Sequence, residues 1–121
     1  MNTLKFDFVF LGQSILKYQV PLDIFSAINQ IYEQNFHNLA PANGQLVGKI
    51  ENEHSLFYHG KDQTKIKNHN MLPRNVTDYF MTVFKHYLAF NKIKDYDTHL
   101  NSIWVNEMKQ HEYNPAHIHR G

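Results

Sequence analysis

The sequence predicts an α+β fold, on three observations. Near the start, Leu4, Phe6, Phe8 and Phe10 alternate with Lys5 and Asp7, the period of two of a half-buried strand. Two later stretches carry apolar residues at the spacing of an amphipathic helix. From Leu100 to Met108, β-branched and aromatic residues return at the centre of an extended run. A chain of 121 residues fits one domain with a modest core.

Taken in order, Val9 and Leu11 make the second half of the first strand apolar on both faces, and Gly12-Gln13 breaks it. Ile15 to Val20 is again extended, with Leu16, Tyr18 and Val20 on one face and Lys17 and Gln19 on the other. Pro21 suits a first helical turn, where its missing N–H has no intrahelical partner, and Asp23 complements the positive helix pole. Ile24, Ile28, Ile31 and Tyr32, with Phe25 and Phe36 beside them, then predict a helix over 22–36 that covers a sheet.

His37 to Gly44 holds Pro41 and Asn43-Gly44 and reads as a loop. Leu46 to Ile50 is a short strand, which Glu51 to Leu56 either extends or follows with a helical turn. Tyr58 to Arg74 is the most polar stretch and reads as a surface loop, with a substrate lid as the functional counterpart. Asn75, with Asp78 three residues on, is the expected N-cap of the longest helix, which runs to about Asn91. On that helix Val76, Tyr79, Phe80, Val83, Phe84, Tyr87 and Leu88 trace the apolar face, and His86 is a satisfied, partly buried histidine beside packed aromatics.

Along 100–108, Trp104 shares a face with Leu100, Ser102, Asn106 and Met108, while Asn101, Ile103, Val105 and Glu107 take the other. Neither face is wholly apolar, which suits the wall of a barrel whose interior holds a polar site. After the turn at Asn114-Pro115, a second strand is expected to begin at His117-Ile118-His119.

Composition removes several function classes. A formal charge of +1 leaves no electrostatic case for nucleic acid. The absence of cysteine excludes disulfides, zinc ribbons and thiol nucleophiles, and it fits a cytoplasmic protein. Phe8-Val-Phe-Leu11 is too short for a signal-peptide core or a membrane span, so no membrane association is expected. There is no glycine-rich phosphate loop, no Gly-x-Ser-x-Gly elbow and no His-Glu-x-x-His motif.

What remains is a pair of histidines two apart. On an extended chain, the imidazoles of His117 and His119 would project to one side, as a metal grip requires. With nine histidines in the chain, His-x-His is expected by chance about 0.7 times, so spacing alone decides little and the surrounding frame matters.

That frame is Trp104-x-Asn106, seven intervening residues, then Asn114-Pro-x-His-x-His119 and Gly121. It resembles the His-x-His region of a phage-associated branch of the 2-oxoglutarate/Fe(II)-dependent oxygenases, which are prolyl-4-hydroxylase-like. Gly12-Gln-Ser-Ile15 leading through Leu16 to Pro21 is similar to the opening of those proteins, and Leu46-Val-Gly-Lys-Ile50 with Glu53 to their short middle segment. The resemblance implies a partial double-stranded β-helix, jelly-roll-like, with two supporting helices. It also implies hydroxylation of a substrate with Fe(II) and 2-oxoglutarate, a small-molecule cosubstrate.

Carried over by position, His117 is the first metal ligand, and His119 stands where the wider superfamily has Asp or Glu. Asn106 and Asn114 are the cosubstrate-orienting candidates. The distal histidine and the arginine that pairs with the far carboxylate of 2-oxoglutarate have no counterpart here; the only arginines are Arg74 and Arg120. The expectation is therefore the amino-terminal portion of an oxygenase, inactive alone, with no catalytic residue beyond the metal ligands. A phage-encoded chain of this kind would act in the host cytoplasm.

Two other readings stand beside it. One is a non-enzymatic phage-type accessory or interaction protein whose His-rich terminus is incidental. The other is a plain metal-binding module that uses His111, His117 and His119 with Glu107 or Glu112. An open sheet edge near residue 119 predicts a homodimer formed through that edge.

Overall fold

The computed structural model describes residues 3–10, 12, 14–41, 48–58 and 71–118. The fold is α+β, with two helices and two small antiparallel sheets: β1 (Phe6–Phe10), β2 (Ser14–Tyr18), α1 (Leu22–Asn35), a 3-10 turn (Phe36–Asn38), β3 (Ala40–Pro41), β4 (Asn52–Tyr58), α2 (Arg74–Phe90) and β5 (Ser102–Glu107). The chain divides into two compact units, residues 1–30 with 73–100 and residues 31–72 with 101–121. No helix among the described residues is long and apolar enough to cross a membrane.

In the first unit β1 and β2 form a hairpin with Phe6 opposite Tyr18 and Phe8 opposite Leu16. The side chains of the first strand's period-two face meet α2. Phe6 lies 4.7 Å from the His86 ring edge-on and 6.3 Å from Phe90, and Phe8 lies 5.7 Å from Phe90, within the range of favourable aromatic pairing. The Tyr18 hydroxyl and His86 Nδ1 are hydrogen-bonded at 2.7 Å, so His86 is the satisfied histidine that its helical position predicts. Tyr87 and Tyr79 of α2 donate to the carbonyls of Ser14 and Gln19 on the hairpin strand and its exit. Aromatic rings thus seat the hairpin, and tyrosine hydroxyls satisfy edge carbonyls that a two-stranded sheet leaves open.

Of the apolar stripe on α1, Ile24 is buried and Ile28, Ile31 and Tyr32 are half-buried, but Phe25 is 59% exposed. The α2 start differs from the expected one. Pro73, extended at φ −69° and ψ 155°, occupies the cap position, and its carbonyl accepts from Val76 and Thr77. Asp78 reaches Arg74 at 3.5 Å instead of closing a capping box on Asn75. A proline restricts the residue before it and needs no N–H partner, so it fixes the cap two residues earlier than the Asn-based reading. The helix ends in a Schellman motif: Lys92 N–H donates to Ala89 and Ile93 N–H to Leu88, with Lys92 at φ +56°.

The second unit is the sheet β3-β4-β5 with β4 in the middle. Its central strand occupies the stretch that the sequence left open between strand extension and a helical turn. Residues 52–58 are extended, Lys49 makes only an isolated bridge, and a helical turn after Ile50 is excluded. Leu46 and Val47 lie outside the described residues, as does 59–70, most of the polar stretch read as a surface loop. Between Ser55 and Phe57 the register shifts against β5, leaving Leu56 as the extra residue of a bulge. Leu56 is fully buried, and its carbonyl accepts from Met71. Leu56→Ala should therefore cost about 3 kcal/mol, read as a lower urea midpoint with an unchanged slope.

Candidate functional site

Register assigns the two faces of the second sheet. Residues directly opposite in an antiparallel pair share a face, and Glu53 stands opposite Asn106 while Ser55 stands opposite Trp104. On the other face, Asn52 stands opposite Glu107 and His54 opposite Val105. The ring of His54 lies 4.7 Å from Phe36 and 6.2 Å from Tyr32, so the end of α1 and the turn after it meet that face. Trp104 and Asn106 are thus together on one face, as the alternation predicts, and they share it with a carboxylate from β4.

Glu53 is the side chain that strand patterning did not single out. Its residue surface is 3% exposed, and Oε2 has no hydrogen-bond partner among the described residues. Burial pushes its carboxyl above the usual range, because the charged form loses more hydration than the neutral one. Such a group is costly to keep, which makes it a candidate for function. Ser55 beside it is also buried, whereas Trp104 is 42% exposed.

The opposite face is held by a polar cluster with its own partners. Tyr32 donates to Glu107 Oε2 at 2.7 Å, and Asn52 Nδ2 reaches the same oxygen at 3.4 Å. Burial, then the bond to Glu107, pushes the Tyr32 hydroxyl up to about 12. Burial lowers His54 against the raising effect of the Glu107 carboxylate, and its Nδ1 has no partner among the described residues.

Beyond β5 the chain turns. Glu112 N–H donates to the Lys109 carbonyl at 3.1 Å, with His111 at φ +70°, and the Glu112 carboxylate accepts from the backbone N–H of Lys109 at 2.7 Å and of Glu51 at 3.0 Å. Those two N–H groups hold the Glu112 carboxyl below its usual range. Glu112 is committed to tying the turn, and Glu107 to Tyr32 and Asn52, so the carboxylates of the plain metal-module reading have structural duties.

Tyr113 then pairs with Lys49 through both backbone bonds, at 2.9 and 3.1 Å. The close approach depends on Gly48, where a Cβ would collide with the Tyr113 carbonyl and sit 2.9 Å from Asn114 Cα. No strand is present over 114–118; the strand expected from His117 onward lies mostly outside the described residues. The next ladder bond after Tyr113 would need an N–H at position 115, and Pro115 has none. His117 lies on this segment, exposed, with Nδ1 2.8 Å from the Pro115 carbonyl. A carbonyl only accepts, so Nδ1 carries a proton, and in the neutral tautomer that this selects the lone pair is on Nε2.

His119 lies outside the described residues. Among the described residues no three His, Asp or Glu side chains gather as a metal site. Asn114 is exposed on the segment that follows the Lys49–Tyr113 bridge, and Asn106 is on β5. The fit to a metal is therefore partial: one imidazole in the correct tautomer, on a segment fixed by Gly48 and Pro115.

Two outcomes follow. Because the folded Glu53 binds its proton more tightly than the unfolded chain does, it contributes least to stability above its folded pKa. Stability falls as pH rises from the unfolded value through the folded one. Glu53→Gln should therefore be more stable than the parent at neutral pH and lose that advantage in acid, measured by urea unfolding across pH. Gly48→Ala should break the Lys49–Tyr113 pair, seen as about tenfold or faster amide exchange at those two residues, with the exchange of α2 unchanged. Compared with known proteins, the chain matches no protein-family model, no curated sequence and no solved structure, so its own residues carry the functional reading.

Proposed function

We propose that the second unit is part of a 2-oxoglutarate/Fe(II)-dependent hydroxylase, with His117 and His119 as metal ligands and Asn106 and Asn114 orienting the cosubstrate. In this reading β4 and β5 belong to the wall of a double-stranded β-helix, and the face that carries Glu53, Trp104 and Asn106 is its interior. The observation that carries it is the His117 ring, whose Nδ1–H is directed to the Pro115 carbonyl, the support that metal-binding imidazoles commonly have. Ferrous iron with bound 2-oxoglutarate would supply oxidation of a substrate C–H bond by dioxygen, the cosubstrate leaving as succinate and carbon dioxide.

Four of the chain's own residues act toward that end. The Pro115 carbonyl holds the His117 tautomer, and Gly48 lets the segment before His117 lie against Lys49. Asn106 offers an amide beside Glu53 on the sheet. Glu53, whose carboxyl burial pushes above its usual range, holds its proton more tightly than an exposed carboxylate does, and when protonated it can donate a hydrogen bond.

A second reading draws on the edge of the sheet. Among the described residues β5 pairs only with β4, so its outer edge is open to a further strand. An accessory protein that joins a partner, or a second copy, through that edge needs no metal.

Anaerobic titration with Fe(II) and then 2-oxoglutarate separates the two. Stoichiometric iron binding, a visible charge-transfer band on addition of 2-oxoglutarate, and a loss of about tenfold or more in iron affinity in His117→Ala and His119→Ala are expected. Iron binding indifferent to both substitutions would overturn the hydroxylase reading. A dimer by light scattering that takes up neither iron nor 2-oxoglutarate would favour the accessory reading.

A further inference from the structure

The first unit has a cleft of about 630 Å³ where the segment before β1, the exit of β2 and the first turn of α1 meet the first turns of α2. That volume is in the range of small-molecule sites. Leu4, Val20 and Leu22 give it apolar walls, and Asp23, Asp78 and Lys5 are its charged lining among the described residues. We propose that this cleft binds a small amphiphile with a cationic amine head. The inference is independent of the iron site, whose residues belong to the second unit.

Three features point to that ligand class. The apolar walls are not spent on packing alone, since Val20 and Leu22 are 38% and 79% exposed and offer contact to an alkyl chain. Among the lining residues the charges do not balance, with two carboxylates to one ammonium, and the Arg74 guanidinium near Asp78 is not part of the lining. Asp23 stands in the first turn of α1 and Asp78 one turn into α2, so both helix poles that would draw an anion already have a carboxylate nearby. An incoming anion would meet those carboxylates, whereas an ammonium would be attracted to them.

The polar groups of the cleft wall leave the carboxylates available. The Tyr79 hydroxyl is bonded to the Gln19 carbonyl and the Thr82 hydroxyl to the Asp78 carbonyl, so neither is spent on a carboxylate. Asp78 does pair with Arg74, at 3.5 Å, but that pair is highly exposed and holds the carboxylate weakly. An ammonium lodged between apolar walls interacts with the same oxygens at lower local dielectric.

The test uses the full chain with three probes of equal length, n-octylammonium, octanol and octanoate, each below its aggregation concentration. Isothermal titration should give saturable one-site binding, with n-octylammonium about tenfold tighter than octanoate and octanol between them. The amine preference should shrink at high salt. Asp23→Asn with Asp78→Asn should bring the three probes to one affinity, and Leu22→Ser should weaken all three. Both sets of positions are exposed, and unchanged far-UV circular dichroism verifies their fold. Equal affinities in the parent chain, tighter octanoate, no saturable binding, or a preference that survives the double substitution would each overturn the proposal.

Discussion

The register of β4 against β5 decides which side chains of the second unit meet. Strand side chains alternate, so a slip of one residue would move Glu53 and Ser55 to the face where His54 and Asn52 now stand. The bulge at Leu56 fixes that register from within, because its buried side chain and its carbonyl bond to Met71 hold the extra residue in place. Glu112 fixes it from the end by tying Glu51 to the turn after β5. The pairing of Glu53 with Asn106, the upward push of burial on that carboxyl and the aromatic cover of His54 all descend from the same alignment.

The two units use aromatic residues in different ways. In the first, ring packing between the hairpin and α2 is joined by tyrosine hydroxyls that reach strand carbonyls, so a two-stranded sheet is secured without a third strand. In the second, Tyr32 sets its ring toward His54 and its hydroxyl on Glu107, combining packing with polar satisfaction. Placing one amphipathic side chain on both jobs limits how many buried polar atoms need other partners.

Much of the first unit was legible in the sequence because its signals are periodic. The Phe6–Phe8 alternation, the Ile24 stripe and the aromatic face of α2 depend on spacing alone, and spacing survives without knowledge of tertiary contacts. Three features were not legible. The α2 start moved to Pro73 because the backbone conformation of proline outweighed a side-chain cap at Asn75. The central strand of the second sheet lies in a polar run, Glu51 to Ser55, where alternation of hydrophobic and polar residues is faint, and so the burial of Glu53 had no sequence signature. The pairing of Tyr113 with Lys49 stops before Pro115, whose missing donor is a local fact, although the Lys49 partner that makes it matter is a long-range one. For the same reason His117 and Asn106 could be singled out as polar residues in an extended frame, while the arrangement around them depends on contacts distant in sequence.

Among the described residues, three outside glycine hold a left-handed backbone: Lys92, Asp95 and His111, at φ +56°, +57° and +70°. Two of them end an element, Lys92 closing α2 and His111 turning the chain after β5. For His111 this means that its contribution is made by the main chain: whichever side chain occupies the position, the reversal between Lys109 and Glu112 asks first for a residue tolerant of that torsion, as asparagine or glycine is. A histidine there is a passenger of the bend, and exchanging it for glycine would ease the curve while leaving the path of Tyr113 toward Lys49 intact.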